Sequence, residues 1–255
     1  MATILKHLIF TLLFSTAFVY FSYAQSIVNI ENKRIITDTT GWAGSANLGF
    51  NLSKNIKTEF ALSTSAHLQY KNKKELYLFL ANASLVEAGE EKFVNAGFAH
   101  VRYNRKFGPV LRWEAFGQIQ YNKVLSVDQR ILLGTGPRLK LFSSDKFRLY
   151  QGTLYMYEIE EVLEPNETHK DQRISAYLSY HWHPYDNFSF YGTWYFQPKI
   201  DDFSDHRLAG QLSLEFGISE NLKFTTSFNY LLDSAPPEAV PEEVYAMRNG
   251  LKFQF

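Results

Sequence analysis

Arg112, Glu114, Arg130, Arg138, Arg173, Arg207 and Glu215 stand in stretches where polar and apolar residues alternate. Residues two apart on a strand share a face, so each stretch offers one charged side and one apolar side. The chemistry of the charged side is electrostatic: guanidinium forks hold or pass small anions, or ion pairs fill an interior. His181 and His183 share such a face, and a His-x-His pair can ligate a metal. No third ligand has a matching spacing, so no metal site is assigned. Gly134-Thr135-Gly136-Pro137 lacks the Lys and the strand-to-helix setting of a phosphate loop, and reads as a strand kink.

The elements that carry these residues are strands. Trp113, Ala115, Ile119 and Tyr121 oppose Arg112, Glu114, Gln118 and Gln120. Ile131, Leu133, Leu139 and Leu141 oppose Arg130, Arg138 and Lys140, and the same alternation recurs along the chain. Three segments are less clean. Glu75–Leu85 is apolar on both faces, Phe93–Lys106 has Phe98 on its polar face, and Phe147–Glu160 sets Gln151 and Thr153 against Leu154 and Met156. A bulge that switches register is expected in the last of these. With them the count is twelve strands.

Connections alternate in length. Asp233–Glu243, Pro198–His206, Glu161–Gln172, Asn122–Gln129 and Val86–Lys92 are longer than the turns at Ile218–Asn221, Pro184–Asn187, Ser143–Lys146, Lys106–Pro109 and Lys71–Lys74. The first hairpin, at Ser53–Ile56, is the exception. Short turns at one end and longer loops at the other are the habit of outer-membrane barrels. The longer loops are acidic, with Glu87, Glu90 and Glu91; Glu161, Glu164, Glu167 and Asp171; Asp201, Asp202 and Asp205; and Glu238, Glu242 and Glu243. Clustered carboxylates can take Ca²⁺ or Mg²⁺, but the spacing matches no calcium loop and reads as solvated charge.

Both ends of the chain carry export signals. Residues 1–24 have Lys6 and His7, an apolar run over Leu8–Phe21 and Ser22-Tyr23-Ala24 before a cleavage point, the pattern of a secretory signal peptide. Residues 25–40 follow as a periplasmic lead or short plug, and 41–255 form the barrel. At the other end Arg248, Gly250, Phe253 and Phe255 fit the terminal strand by which a barrel is handed to its insertion machinery. The chain has no Cys, net charge 0 and 16% aromatic residues, with a mean hydropathy of −0.24. The lack of Cys excludes a disulfide scaffold, and the balanced charge argues against nucleic acid as a partner. The expected fold is therefore all-β: a closed antiparallel transmembrane barrel of about twelve strands in the outer membrane of a Gram-negative bacterium.

Four segments add a family. Gly41–Gly49, Arg130–Gly136, Asp202–Leu208 and Asp233–Glu238, in this order, resemble the YdiY-like, salt-induced outer-membrane proteins grouped under a domain of unknown function. The resemblance implies an outer-membrane barrel and a link to salt or osmotic stress; it supplies no ligand and no catalytic residue.

The expected function is non-enzymatic, with no cofactor and no catalytic residue. The barrel is either a structural element of the envelope or a small-solute pore with a preference for anions. Arg112, Glu114, Arg130, Arg138, Arg173, His181, Arg207 and Glu215 are the expected lumen-lining residues, and outer-membrane lipid, the insertion machinery and small anionic solutes the expected partners. The alternative is a barrel hydrolase acting on lipid or peptide. That chemistry needs a nucleophile beside a His; His100 and His206 are available, but spacing puts no Ser, Asn or acid next to either.

Overall fold

A strand whose side chains alternate between apolar and polar is stable when its two faces meet different surroundings, and one sheet of twelve strands supplies them. The structure, a computed structural model, describes residues 28–31, 40–89, 91–163, 166–237 and 240–253. The expected signal peptide, Phe255, Glu90, Glu164 and Glu238 lie outside the described residues. The strands are β1 (Gly41–Lys54), β2 (Thr58–Lys71), β3 (Glu75–Ala88), β4 (Glu91–Lys106), β5 (Leu111–Asn122), β6 (Val127–Ser143), β7 (Phe147–Val162), β8 (Glu167–Tyr185), β9 (Phe188–Pro198), β10 (His206–Gly217), β11 (Leu222–Asp233) and β12 (Glu243–Phe253). They form one antiparallel sheet in chain order, β1 to β12. No ladder joins β1 to β12 among the described residues. None of the described helices is long and apolar enough to cross a membrane.

The sheet curls until its inner face meets itself. Leu154 of β7, Tyr177 of β8, Tyr195 of β9, Ala209 of β10 and Leu231 of β11 form one buried cluster, and Phe116 of β5 and Val244 of β12 pack against it. Outward residues are large and apolar, among them Phe50 at 78% exposure, Met247 at 62% and Leu133 at 57%. Rings lie side by side at both ends of the outer face. Trp42, Tyr70, Tyr77 and Tyr103 form a chain with centroids 5.0, 6.2 and 5.0 Å apart at the turn end. Trp194, Tyr230, Phe228 and Tyr245 form another at the loop end.

Several expectations change, among them the long acidic connection at Val86–Lys92, which is strand except between Ala88 and Glu91. Leu154 and Met156 face inward together with Glu158 and Glu160, so β7 keeps one phase throughout. Gln151 and Thr153 face outward and hydrogen bond to each other there. The register shifts between β6 and β7 fall at Val127/Gln129 and Lys140/Phe142 instead, where β6 supplies the unpaired residue. The acidic loop expected at Glu161–Gln172 is mostly strand. The β7–β8 ladder continues from Glu158↔Asp171 through Glu160↔His169 and Glu161↔Thr168 to Val162↔Glu167, and its inward carboxylates find cations elsewhere, Glu160 on Arg207 and Asp171 on Lys199. The marked length difference between the two ends therefore rests on the β9–β10 and β11–β12 loops. At Gly134-Thr135-Gly136 the strand runs on: a Cβ at Gly134 would strike the Phe116 ring and one at Gly136 the Thr153 carbonyl. Both glycines make room for neighbours.

Candidate functional site: a charged lumen

Inward positions on β4, β5 and β6 build the first of two charge clusters, on the turn-end side of the apolar layer. Arg102, Asn104, Glu114 and Arg138 are buried. Arg102 Nη1 lies 3.5 Å and Arg138 Nη1 3.4 Å from the Glu114 carboxylate. Asn104 also donates to Glu114, and so does the Tyr177 hydroxyl, at 2.7 Å. Arg102 Nε donates to His100 Nε2 at 3.2 Å, and its guanidinium lies 5.3 Å over Phe116. Tyr150 receives two cations, Arg138 at 4.3 Å and Arg112 at 5.3 Å from its ring centre.

A cavity of about 670 Å³ opens beyond this cluster toward the short turns. Lys71, Lys74, Lys106, Arg112, Arg138, Lys140 and Arg148 line it against Glu31, Glu75 and Asp145. An excess of fixed positive charge in a low-dielectric recess raises the local concentration of anions. His181 also lines it, with its ring 5.0 Å from that of His183 and its backbone opposite Arg148. No cluster of three or more His, Asp or Glu able to hold a metal occurs among the described residues.

The second cluster lies on the loop-end side and centres on Glu158, which is fully buried. Arg130 Nη2 donates to it at 2.8 Å and Arg207 Nη1 at 2.5 Å, while Arg173 Nε lies 3.4 Å away. Arg207 spends its other donors on Glu160 and Asp233, each at 2.6 Å. Arg173 Nη2 holds Asp205 at 2.9 Å, and Lys199 bridges Asp205 at 2.7 Å and Asp171 at 3.2 Å. Burying charges is costly unless partners are close and complete, and here each guanidinium meets one or more carboxylates.

The ties to Lys199 and Asp205 fix the 199–205 loop over this end. Burial pushes the Asp205 carboxyl up, but the Lys199 hydrogen bond and the Arg173 charge outweigh it and hold it below the ordinary value. Burial likewise pushes Lys199 down, and its bonds to Asp205 and Asp171 outweigh that and raise it. Asp202 is lowered by the Ser204 hydroxyl and backbone N–H that donate to it. Asp205 of the loop thus serves Arg173 of the wall, and Asp171 of β8 holds Lys199 of the loop.

The expected lumen residues therefore divide. Glu114 and Arg138 meet in the first cluster, with Arg112 beside them across Tyr150; Arg130, Arg173 and Arg207 meet on Glu158. Glu215 stands apart in a half-exposed pair with Lys223 at 2.8 Å, and His181 belongs to the cavity wall. In β12, Arg248 lies opposite Ser227 and Gly250 opposite Thr225, and Phe253 is outward and exposed. The alternation did not point to Tyr177 or to Glu31 of the lead. Arg130, Arg173 and Arg207 were legible as inward-facing, but their convergence on Glu158 was not.

Among solved structures, the chain is similar to the NanC porin, at 12% identity over 84% of this chain and 100% of that one, with a TM-score of 0.47. It is also similar to the KdgM porin, at 8% identity over 83% and 99%, TM-score 0.40. A third is a bacterial polysaccharide outer membrane secretin, at 9% identity over 84% and 86%, TM-score 0.42. No curated protein matches the sequence. One family model does, over residues 46–255, and the chain belongs to that family, described as protein of unknown function, DUF481.

Proposed function

We propose that this protein is a non-enzymatic outer-membrane β-barrel whose lumen admits small anionic solutes from its turn end. The observation that carries the reading is the inversion of its two faces. Phe50, Leu133 and Met247 are exposed outside while Arg130 and Glu158 are fully buried inside. A soluble sheet protein hides its apolar face; a barrel in hydrocarbon displays it. Backbone groups in hydrocarbon need internal partners, so in the membrane β1 and β12 pair and close the cylinder, with the short turns in the periplasm. The preference for anions follows from the basic lining of the turn-end cavity. The two ion-paired clusters and the apolar layer between them leave a filled waist, so conductance is small.

Planar-bilayer recording tests the reading. A small conductance with a reversal potential on the anion side is expected, and Arg112→Gln with Lys140→Gln should shift that potential toward cation preference. Absence of any current, or a reversal potential indifferent to both substitutions, contradicts it.

A further inference from the structure

Val28, Asn29, Ile30 and Glu31 are all buried, and they lie inside the curled sheet. Val28 and Ile30 join Leu78 and Leu80 in one apolar cluster, with Leu76 and Phe98 packed on it. Those wall residues are the ones that make β3 apolar on both faces and β4 aromatic on its polar face. Next to them Glu31 reaches both cations of the first cluster, Arg102 at 3.0 Å and Arg138 at 2.8 Å. The wall's own Glu114 is farther from both, at 3.5 and 3.4 Å. The best carboxylate partner of these two arginines is thus a side chain from outside the wall.

The charges agree with this. Arg102, Arg138 and Glu114 alone sum to one positive charge, and one carboxylate balances them; a dianion overshoots. Two guanidinium forks converging on one carboxylate are a selective arrangement for that group. Leu78, Leu80 and Phe98 offer apolar surface beside it. Glu31 itself lines the basic turn-end cavity, so a solute entering there arrives at the carboxylate.

We infer that Arg102 and Arg138 form a carboxylate-binding site in the lumen that Glu31 fills from within the chain, and that a small monocarboxylate with an apolar tail competes for it. The inference rests on the lumen being open to solutes from the turn end, but its test needs no current.

The chain has no Cys, so Val28→Cys gives a single thiol under the apolar contact. Its rate of reaction with a small water-soluble thiol reagent is read on the folded protein in detergent. Reaction is slow in that background and roughly tenfold or more faster when Glu31→Gln is added, the loss of a charge-assisted contact. Hexanoate speeds the reaction in proportion to its occupancy, whereas hexanol and chloride do not, and Arg138→Lys weakens the hexanoate effect. An unchanged rate with Glu31→Gln, or equal action of hexanol and hexanoate, overturns the site. A protein that passes no current but responds to hexanoate in this way refutes the pore and keeps the site.

Discussion

Tyr177 on β8 donates its hydroxyl to Glu114 on β5 at 2.7 Å, although β6 and β7 lie between their strands in the sheet. Such a contact requires a sheet rolled tightly enough for inner side chains to meet across it. It also ties the first charge cluster to the apolar layer, since Tyr177 belongs to both. The interior is thereby a stack: a basic recess, a carboxylate held by two arginines, a belt of Leu154, Tyr177 and Tyr195, and a carboxylate held by three arginines.

Glu158 carries the heaviest electrostatic duty in that stack. Glu158→Gln leaves Arg130, Arg173 and Arg207 around a neutral amide, and breaking a buried pair this way costs about 3–5 kcal/mol. Glu215→Gln removes a half-exposed partner of Lys223 and should cost below about 1 kcal/mol. Urea unfolding of the two variants in the same detergent reads the difference; equal losses would contradict the assignment of the buried centre.

Much of this was written in the alternation of residues. Arg130, Arg138, Arg173 and Arg207 sit two or a multiple of two positions from other polar residues, which fixes their face without any knowledge of the fold. Leu154 and Met156 misled because the lumen has its own apolar belt, so an inward position can be apolar where Tyr177 and Tyr195 wait for it. Glu31 was illegible for a different reason: the lead was read as lying outside the strands, so no face was assigned to it. Its trace lay in its receptor, the inward Leu78, Leu80 and Phe98, which only made the strands there look ambiguous. The Glu161–Gln172 segment looked like a loop because it is acidic, yet the β7–β8 ladder runs through most of it and Asp171 is held by Lys199.

The 199–205 loop should loosen in acid. The Asp205 carboxyl sits below its ordinary value through Lys199 and Arg173. A depressed carboxyl stabilises the fold fully above its unfolded value, about 3.9, and that contribution fades as pH falls through the folded value. Amide exchange at Lys199, whose N–H donates to the Asp205 carbonyl at 2.9 Å, should therefore quicken below about pH 4 after correction for the intrinsic rate. Asp205→Asn should make exchange fast at neutral pH and remove the dependence; a flat profile in the parent chain would contradict the lock.

Closure of the cylinder is open to chemical capture. With no Cys in the chain, Phe50→Cys on the outer face of β1 can be combined in turn with Tyr245→Cys, Met247→Cys or Leu251→Cys on the outer face of β12. Paired strands bring opposed Cβ atoms to about 4.5–5.5 Å, within reach of a disulfide after small adjustment. At least one combination should oxidise within a single chain in a membrane. If all three stay reduced while an intra-sheet control at Phe50 and Leu62, which are register partners, crosslinks, the two edge strands are apart.

Refolding into lipid tests the membrane reading most directly. The urea-unfolded chain, diluted into preformed phosphatidylcholine vesicles, should float with them, resist protease and migrate differently on a gel before and after boiling. Leu133→Arg, on the outer face in mid-strand, should destabilise that form by about 2–4 kcal/mol, while Asp201→Arg in the loop leaves it unchanged. A chain that folds to a soluble monomer without lipid or detergent, and tolerates Leu133→Arg, contradicts the account.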